Sequence, residues 1–74
     1  MSELPRISGR ECAKALERAG FLTKLQQSTH IILRRENPFA QVVVPDHREL
    51  DRGTLRAILR HAALSVDEFL ALLS

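Results

Sequence analysis

A chain of 74 residues makes one small domain, residues 1–74, which on folding hides only about 60% of the surface its unfolded form exposes. So small a core has no room for a deep pocket around an enclosed metabolite, and chemistry or binding on an open surface is expected. Eleven Lys and Arg against nine Asp and Glu leave a net charge of +2, too little by itself to name a nucleic-acid partner, although ten of the eleven basic residues precede position 57.

The hydrophobic share of 45% is that of an ordinary globular domain, and no apolar run is long enough for a membrane span. Met1-Ser2-Glu3-Leu4-Pro5-Arg6 lacks the apolar stretch of a secretion signal, so a cytoplasmic setting is expected. The single cysteine, Cys12, neither closes an internal disulfide nor supplies a metal cluster, and no metal or small-molecule cofactor is expected.

Ser8-Gly9-Arg10-Glu11 is a capping box, in which the Ser8 hydroxyl accepts from the Glu11 amide and the Glu11 carboxylate accepts from the Ser8 amide. It predicts a helix whose apolar stripe is Cys12, Ala15, Leu16 and Ala19 and whose left-handed stop is Gly20. A first strand, with imperfect alternation, is expected from Phe21 to Gln27 and a second from about Thr29 to Arg35. With a period of two, Ile31 and Leu33 take one face of the second strand, and His30, Ile32 and Arg34 take the other, which puts His30 and Arg34 together in water.

Glu36-Asn37-Pro38-Phe39 is a turn, and the β-branched run Ala40-Gln41-Val42-Val43-Val44, stopped by Pro45, predicts a third strand antiparallel to the second. A polar loop from Asp46 to Leu50 leads to Asp51, which caps a helix with the stripe Leu55, Ile58, Leu59 and Ala62. Arg52, Arg56 and Arg60 make a basic ridge along it, and Glu49 is a ready partner for Arg52. Ser65-Val66-Asp67-Glu68 repeats the capping box and opens a short terminal helix that closes one edge of the core. The expected fold is α+β: an α-β-β-β-α sandwich, its three-stranded antiparallel sheet covered by helices on one face and open on the other, with a short C-terminal helix.

Leu4-Pro5-Arg6-Ile7-Ser8-Gly9-Arg10-Glu11, Ala19-Gly20-Phe21, Ser28-Thr29-His30, Val44-Pro45, Gly53-Thr54-Leu55-Arg56-Ala57-Ile58-Leu59-Arg60 and Leu64-Ser65-Val66-Asp67-Glu68-Phe69-Leu70 together resemble the HicA, or YcfA-like, toxins over nearly the whole chain. The resemblance implies a fold like that of a double-stranded-RNA-binding domain, activity as a metal-independent mRNA interferase, and a HicB-type antitoxin partner. The family's catalytic histidine carries over onto His30, and the small residues before it onto Ser28 and Thr29. Where the family usually shows Gly-Ser-His, this chain has Ser28-Thr29-His30, and its Pro38-Phe39 turn departs from the common Asp-Gly.

RNA is cut without metal when its 2′-hydroxyl attacks the neighbouring phosphate, a base taking the proton and an acid helping the leaving oxygen. Imidazole, with an ordinary pKa of about 6.5, serves in either role. Lys24 and Arg34 are candidates to neutralise phosphate charge, and His47 is the candidate for a second proton-transfer group. Each has a plainer alternative: Ser28 and Thr29 as turn formers, His47 as a loop residue, His61 as a charge at a helix end, and Arg52, Arg56 and Arg60 as a solvated helix face rather than contacts to RNA phosphates. Two other functions fit the same residues, a non-catalytic RNA-binding module and a protein-interaction domain using the open face or a strand edge.

Overall fold

In the computed structural model, which describes residues 3–73, the first helix starts where the capping box puts it. Met1, Ser2 and Ser74 lie outside the described residues, and with them go the two ends of the expected domain and part of the stretch read for a secretion signal. Helix α1 spans Gly9–Arg18, with both capping-box bonds between Ser8 and Glu11 formed at 3.1 Å. It ends in a Schellman motif: Phe21 donates to the Leu16 carbonyl and Gly20, at φ +96, donates to that of Glu17. This turn swings Phe21 into the core at 0% exposure, so the first strand starts one residue later than expected and also ends one residue earlier.

Strands β1 (Leu22–Gln26), β2 (His30–Glu36) and β3 (Phe39–Pro45) form an antiparallel sheet in the order β1-β2-β3. Between β2 and β3 the register runs unbroken from His30↔Pro45 to Glu36↔Phe39, so Asn37 and Pro38 alone turn the chain. Between β1 and β2 the register shifts from Thr23↔Leu33 to Leu25↔Ile32, leaving Lys24 as the extra residue of a bulge. The bulge is the physical reason that the alternation of β1 is imperfect.

The alternation of β2 and β3 sorts the sheet into two faces. Ile31 and Leu33, with Ala40, Val42 and Val44, are buried against the helices, in one core cluster with the stripes of α1 and α2. Helix α2 (Arg52–Ala62) packs on β3 and buries all four residues of its expected stripe, Leu55, Ile58, Leu59 and Ala62. Helix α3 (Val66–Leu73) packs on α1, buries Phe69 completely, and is tied there by Arg18 Nη1 donating to the Leu72 carbonyl at 2.6 Å. The architecture is the expected α+β sandwich of double-stranded-RNA-binding-domain type, its other sheet face uncovered.

Two further details differ from the sequence reading. Leu50, assigned to a polar loop, is only 2% exposed; its amide donates to the Ile7 carbonyl at 2.8 Å, and Ile7 and Leu4 are buried in the same core. The N-terminal segment thus runs beside the loop before α2, a pairing of residues more than forty positions apart that local pattern does not encode. That path also redirects the charges: Arg52 pairs with Glu3 at 3.8 Å and Glu49 with Arg6 at 3.4 Å, so the expected Glu49–Arg52 pair does not form.

Candidate functional site

The site begins with a turn. The Gln27 amide donates to the His30 carbonyl at 2.8 Å, and Ser28 and Thr29 fill the bend between them. Ala63 is the one described residue other than glycine with positive φ, so Ser28 and Thr29 make this bend without the left-handed backbone that would call for glycine. The Thr29 carbonyl accepts from the Asp46 amide at 2.9 Å, which clamps the bend to the end of β3. Asp46 is itself held by Arg10, whose Nε and Nη2 donate to its two carboxylate oxygens at 3.3 and 3.4 Å.

Helix α1 is pressed against the same corner. The Gly9 amide donates to the His47 carbonyl at 2.8 Å, and a methyl group built on Gly9 would run into the carbonyl oxygen of Pro45. Only a residue without a side chain lets the helix start that close. The start of α1, the end of β3 and the bend before β2 therefore meet, and beside them opens a shallow cleft of ≈ 270 Å³ lined by Ser8, Arg10, Asp46, His47 and Arg48.

His30, opposite Pro45, is exposed at this end of the open sheet face. Its Nδ1 lies 2.8 Å from the hydroxyl of Thr29, within hydrogen-bond range. An exposed imidazole with one nitrogen occupied and the other free is suited to proton transfer with a ligand lying on the face.

Directly opposite residues of an antiparallel pair share a face, so Leu22 (opposite Arg34), Leu25 (opposite Ile32), Val43 (opposite Ile32) and Phe39 (opposite Glu36) all stand on the side of His30. They are the large hydrophobic residues most exposed among those described, from 46% for Val43 to 66% for Phe39. Gathering all of them on one face marks that face for interaction.

The other residues singled out from sequence are dispersed. Arg34 shares the face but is not beside His30: Ile32 stands between, four steps along the strand put the two roughly 13 Å apart, and Arg34 Nε is drawn toward β3 by Gln41 Oε1 at 3.1 Å. The expected adjacency fails because the face repeats every second residue and its intermediate position is apolar. Lys24 is exposed on the bulge of β1. Arg52 and Arg56 are exposed on α2, in the layer on the far side of the sheet from the open face. His47 contributes its carbonyl to α1 and helps keep the Asp51 carboxyl acidic, behind the larger effects of the Thr54 amide and hydroxyl. His61 is exposed in the last turn of α2. Cys12 is fully buried, and burial pushes its thiol up to about 12, the opposite of an activated nucleophile.

Sequence reasoning missed the Arg10–Asp46 clamp and the Thr29–His30 contact. The first joins distant segments and leaves no local signal. The second had a signal, a hydroxyl residue immediately before the histidine, but neighbours on a regular strand point to opposite faces, and only the bend lets these two side chains meet. Among the described residues no group of three His, Cys, Asp or Glu is placed to hold a metal ion, and no helix is long and apolar enough to cross a membrane.

A small α+β domain with shallow clefts, one uncovered sheet face and an exposed imidazole at its edge offers an open surface and no enclosed pocket among the described residues. Its sequence matches the family model described as the HicA toxin of bacterial toxin–antitoxin systems over residues 9–64, and the chain belongs to that family. No curated protein matches it.

Proposed function

We propose that the chain is the toxin of a HicA/HicB-type pair and acts as an mRNA interferase, a metal-independent endoribonuclease. His30 is the general acid or base for attack by the RNA's own 2′-hydroxyl on the adjacent phosphate. The observation that carries this reading is the exposed imidazole of His30 at the edge of the open face in a chain of the HicA family.

Positioned acid–base catalysis is worth roughly a hundred- to ten-thousand-fold, and His30 is assigned that share. Ser28 and Thr29 border the reacting phosphate. Arg34, roughly 13 Å along the strand, and Lys24 on the bulge hold phosphates further along the RNA, and Arg52 and Arg56 hold more distant backbone. Such contacts are salt-sensitive and indifferent to sequence. The apolar residues that share the open face with His30 favour a protein partner there, and the HicB-type antitoxin is assigned to it: one partner bound along the face then hides the apolar patch and the imidazole together.

The test is incubation of the antitoxin-free protein with a long single-stranded RNA in excess EDTA, beside the His30→Ala variant. Cutting by the parent alone is the expected result. Salt-sensitive RNA binding by both proteins with no cutting by either would leave a binding module and remove the catalytic assignment.

A further inference from the structure

We propose that Thr29 is the positioning residue for His30, its hydroxyl accepting the Nδ1–H of the imidazole so that Nε2 is the nitrogen turned toward the ligand. The inference rests on the nuclease reading of His30 for its consequence, and on the 2.8 Å contact between Thr29 Oγ1 and His30 Nδ1 for its geometry.

The direction of the hydrogen bond follows from the chemistry of the ring. A threonine hydroxyl both donates and accepts, and neutral imidazole offers one nitrogen of each kind, so either direction fits the resting state. An acid–base cycle, however, passes through the imidazolium, in which both nitrogens carry protons and neither accepts. A bond donated by Thr29 would break each time His30 was charged. A bond accepted by Thr29 survives in both states, and proton exchange is then confined to Nε2: the lone pair there takes a proton from the 2′-hydroxyl, or the N–H there gives one to the leaving oxygen.

The backbone holds the hydroxyl in place. Thr29 lies in the bend and not in the strand, which is why its side chain reaches that of its neighbour. Its carbonyl is clamped by the Asp46 amide at 2.9 Å, Asp46 is held by Arg10, and the carbonyl of His30 is held by the Gln27 amide at 2.8 Å. Branching at Cβ further restricts the rotamers of Thr29. Both partners of the contact are thus fixed from the main chain, as a positioned base needs.

The test uses the full chain with Thr29→Val, which keeps the shape and loses the hydroxyl, and Thr29→Ser, which keeps the hydroxyl. The neutral tautomer of His30 is measured by long-range nitrogen–proton NMR without RNA, and cleavage kinetics are measured in parallel. Expected is a protonated Nδ1 in the parent and in Thr29→Ser, loss of that preference in Thr29→Val, and a kcat for Thr29→Val lower by roughly ten- to a hundredfold with little change in KM, restored in large part by Thr29→Ser. A neutral ring protonated at Nε2 in the parent would overturn the proposal, as would a Thr29→Val protein with unchanged tautomer and kcat. If the parent cuts no RNA, the nuclease reading falls, and the tautomer measurement still decides whether Thr29 orients the ring.

Discussion

Arg35 shows how much one side chain can do out of sight of the sequence. Its place in β2 puts it on the helix side of the sheet, where charge is costly, yet it has three partners: Nε donates to the Pro38 carbonyl at 3.1 Å, Nη2 donates to the Ala62 carbonyl at 3.3 Å, and the guanidinium lies 4.7 Å from the centre of the Phe21 ring. The Ala62 contact satisfies a carbonyl at the C-terminus of α2, where a cation is favoured. With the two hydrogen bonds and the ring contact discounted for their partial exposure to water, Arg35→Ala is expected to destabilise the fold by about 2 kcal/mol. Arg35→Lys, without the planar fork, should recover less than half of that in urea unfolding; full recovery by lysine would mean that charge alone is at work. From sequence Arg35 was only the second of two arginines ending a strand, because its three partners lie in a turn, a distant helix and the residue just before β1.

The helices were the most readable elements and the edge strand the least. Capping boxes are local, and Ser8 with Glu11 and Ser65 with Glu68 formed as expected, as did the Asp51 cap. Strand β1 was blurred by the bulge at Lys24, and the buried positions Leu4, Ile7 and Leu50 depend on contacts between distant segments. The caps also give the helices a defined acid response. The Thr54 amide and hydroxyl hold the Asp51 carboxyl below its ordinary value, and those of Ser65 do the same for Glu68. A lowered folded-state pKa means stability that is present above the ordinary carboxylate range and lost as pH falls through the lower folded values. The gap in melting temperature between the parent and an Asp51→Ala/Glu68→Ala double variant should be widest near neutrality and should shrink as pH drops below about 4; a gap independent of pH would show that the caps act without their charge.

Over the molecule as a whole, the division of labour is between two faces of one sheet. One face carries the core shared with α1 and α2, and the other carries His30 at one edge and Leu22, Leu25, Val43 and Phe39 spread along it. Residues on the open face should therefore be dispensable for folding. Leu22→Ser and Phe39→Ser are expected to change unfolding free energy by no more than about 0.5 kcal/mol, as is usual for exposed positions, while weakening capture of a HicB-type partner in a titration. A large loss of stability from either would place it in the core instead. The open character of the face and the presence of Ile32 on it were readable from the β2 alternation, whereas Leu22, Leu25 and Phe39 were not, because the two leucines lie on either side of the bulge and Phe39 stood in an expected turn.

The position of Gly9 carries a consequence for descent. Its contact with Pro45 leaves no space for a methyl group, and through the Gly9 amide and the Arg10–Asp46 pair the first turn of α1 fixes the bend from which Thr29 and His30 project. A replacement at Gly9, which itself carries no reactive group, therefore disturbs the geometry at His30. On the nuclease reading of His30, inactive descendants should arise by this route as well as by loss of the histidine, and a gene that retains His30 is no guarantee of a working copy.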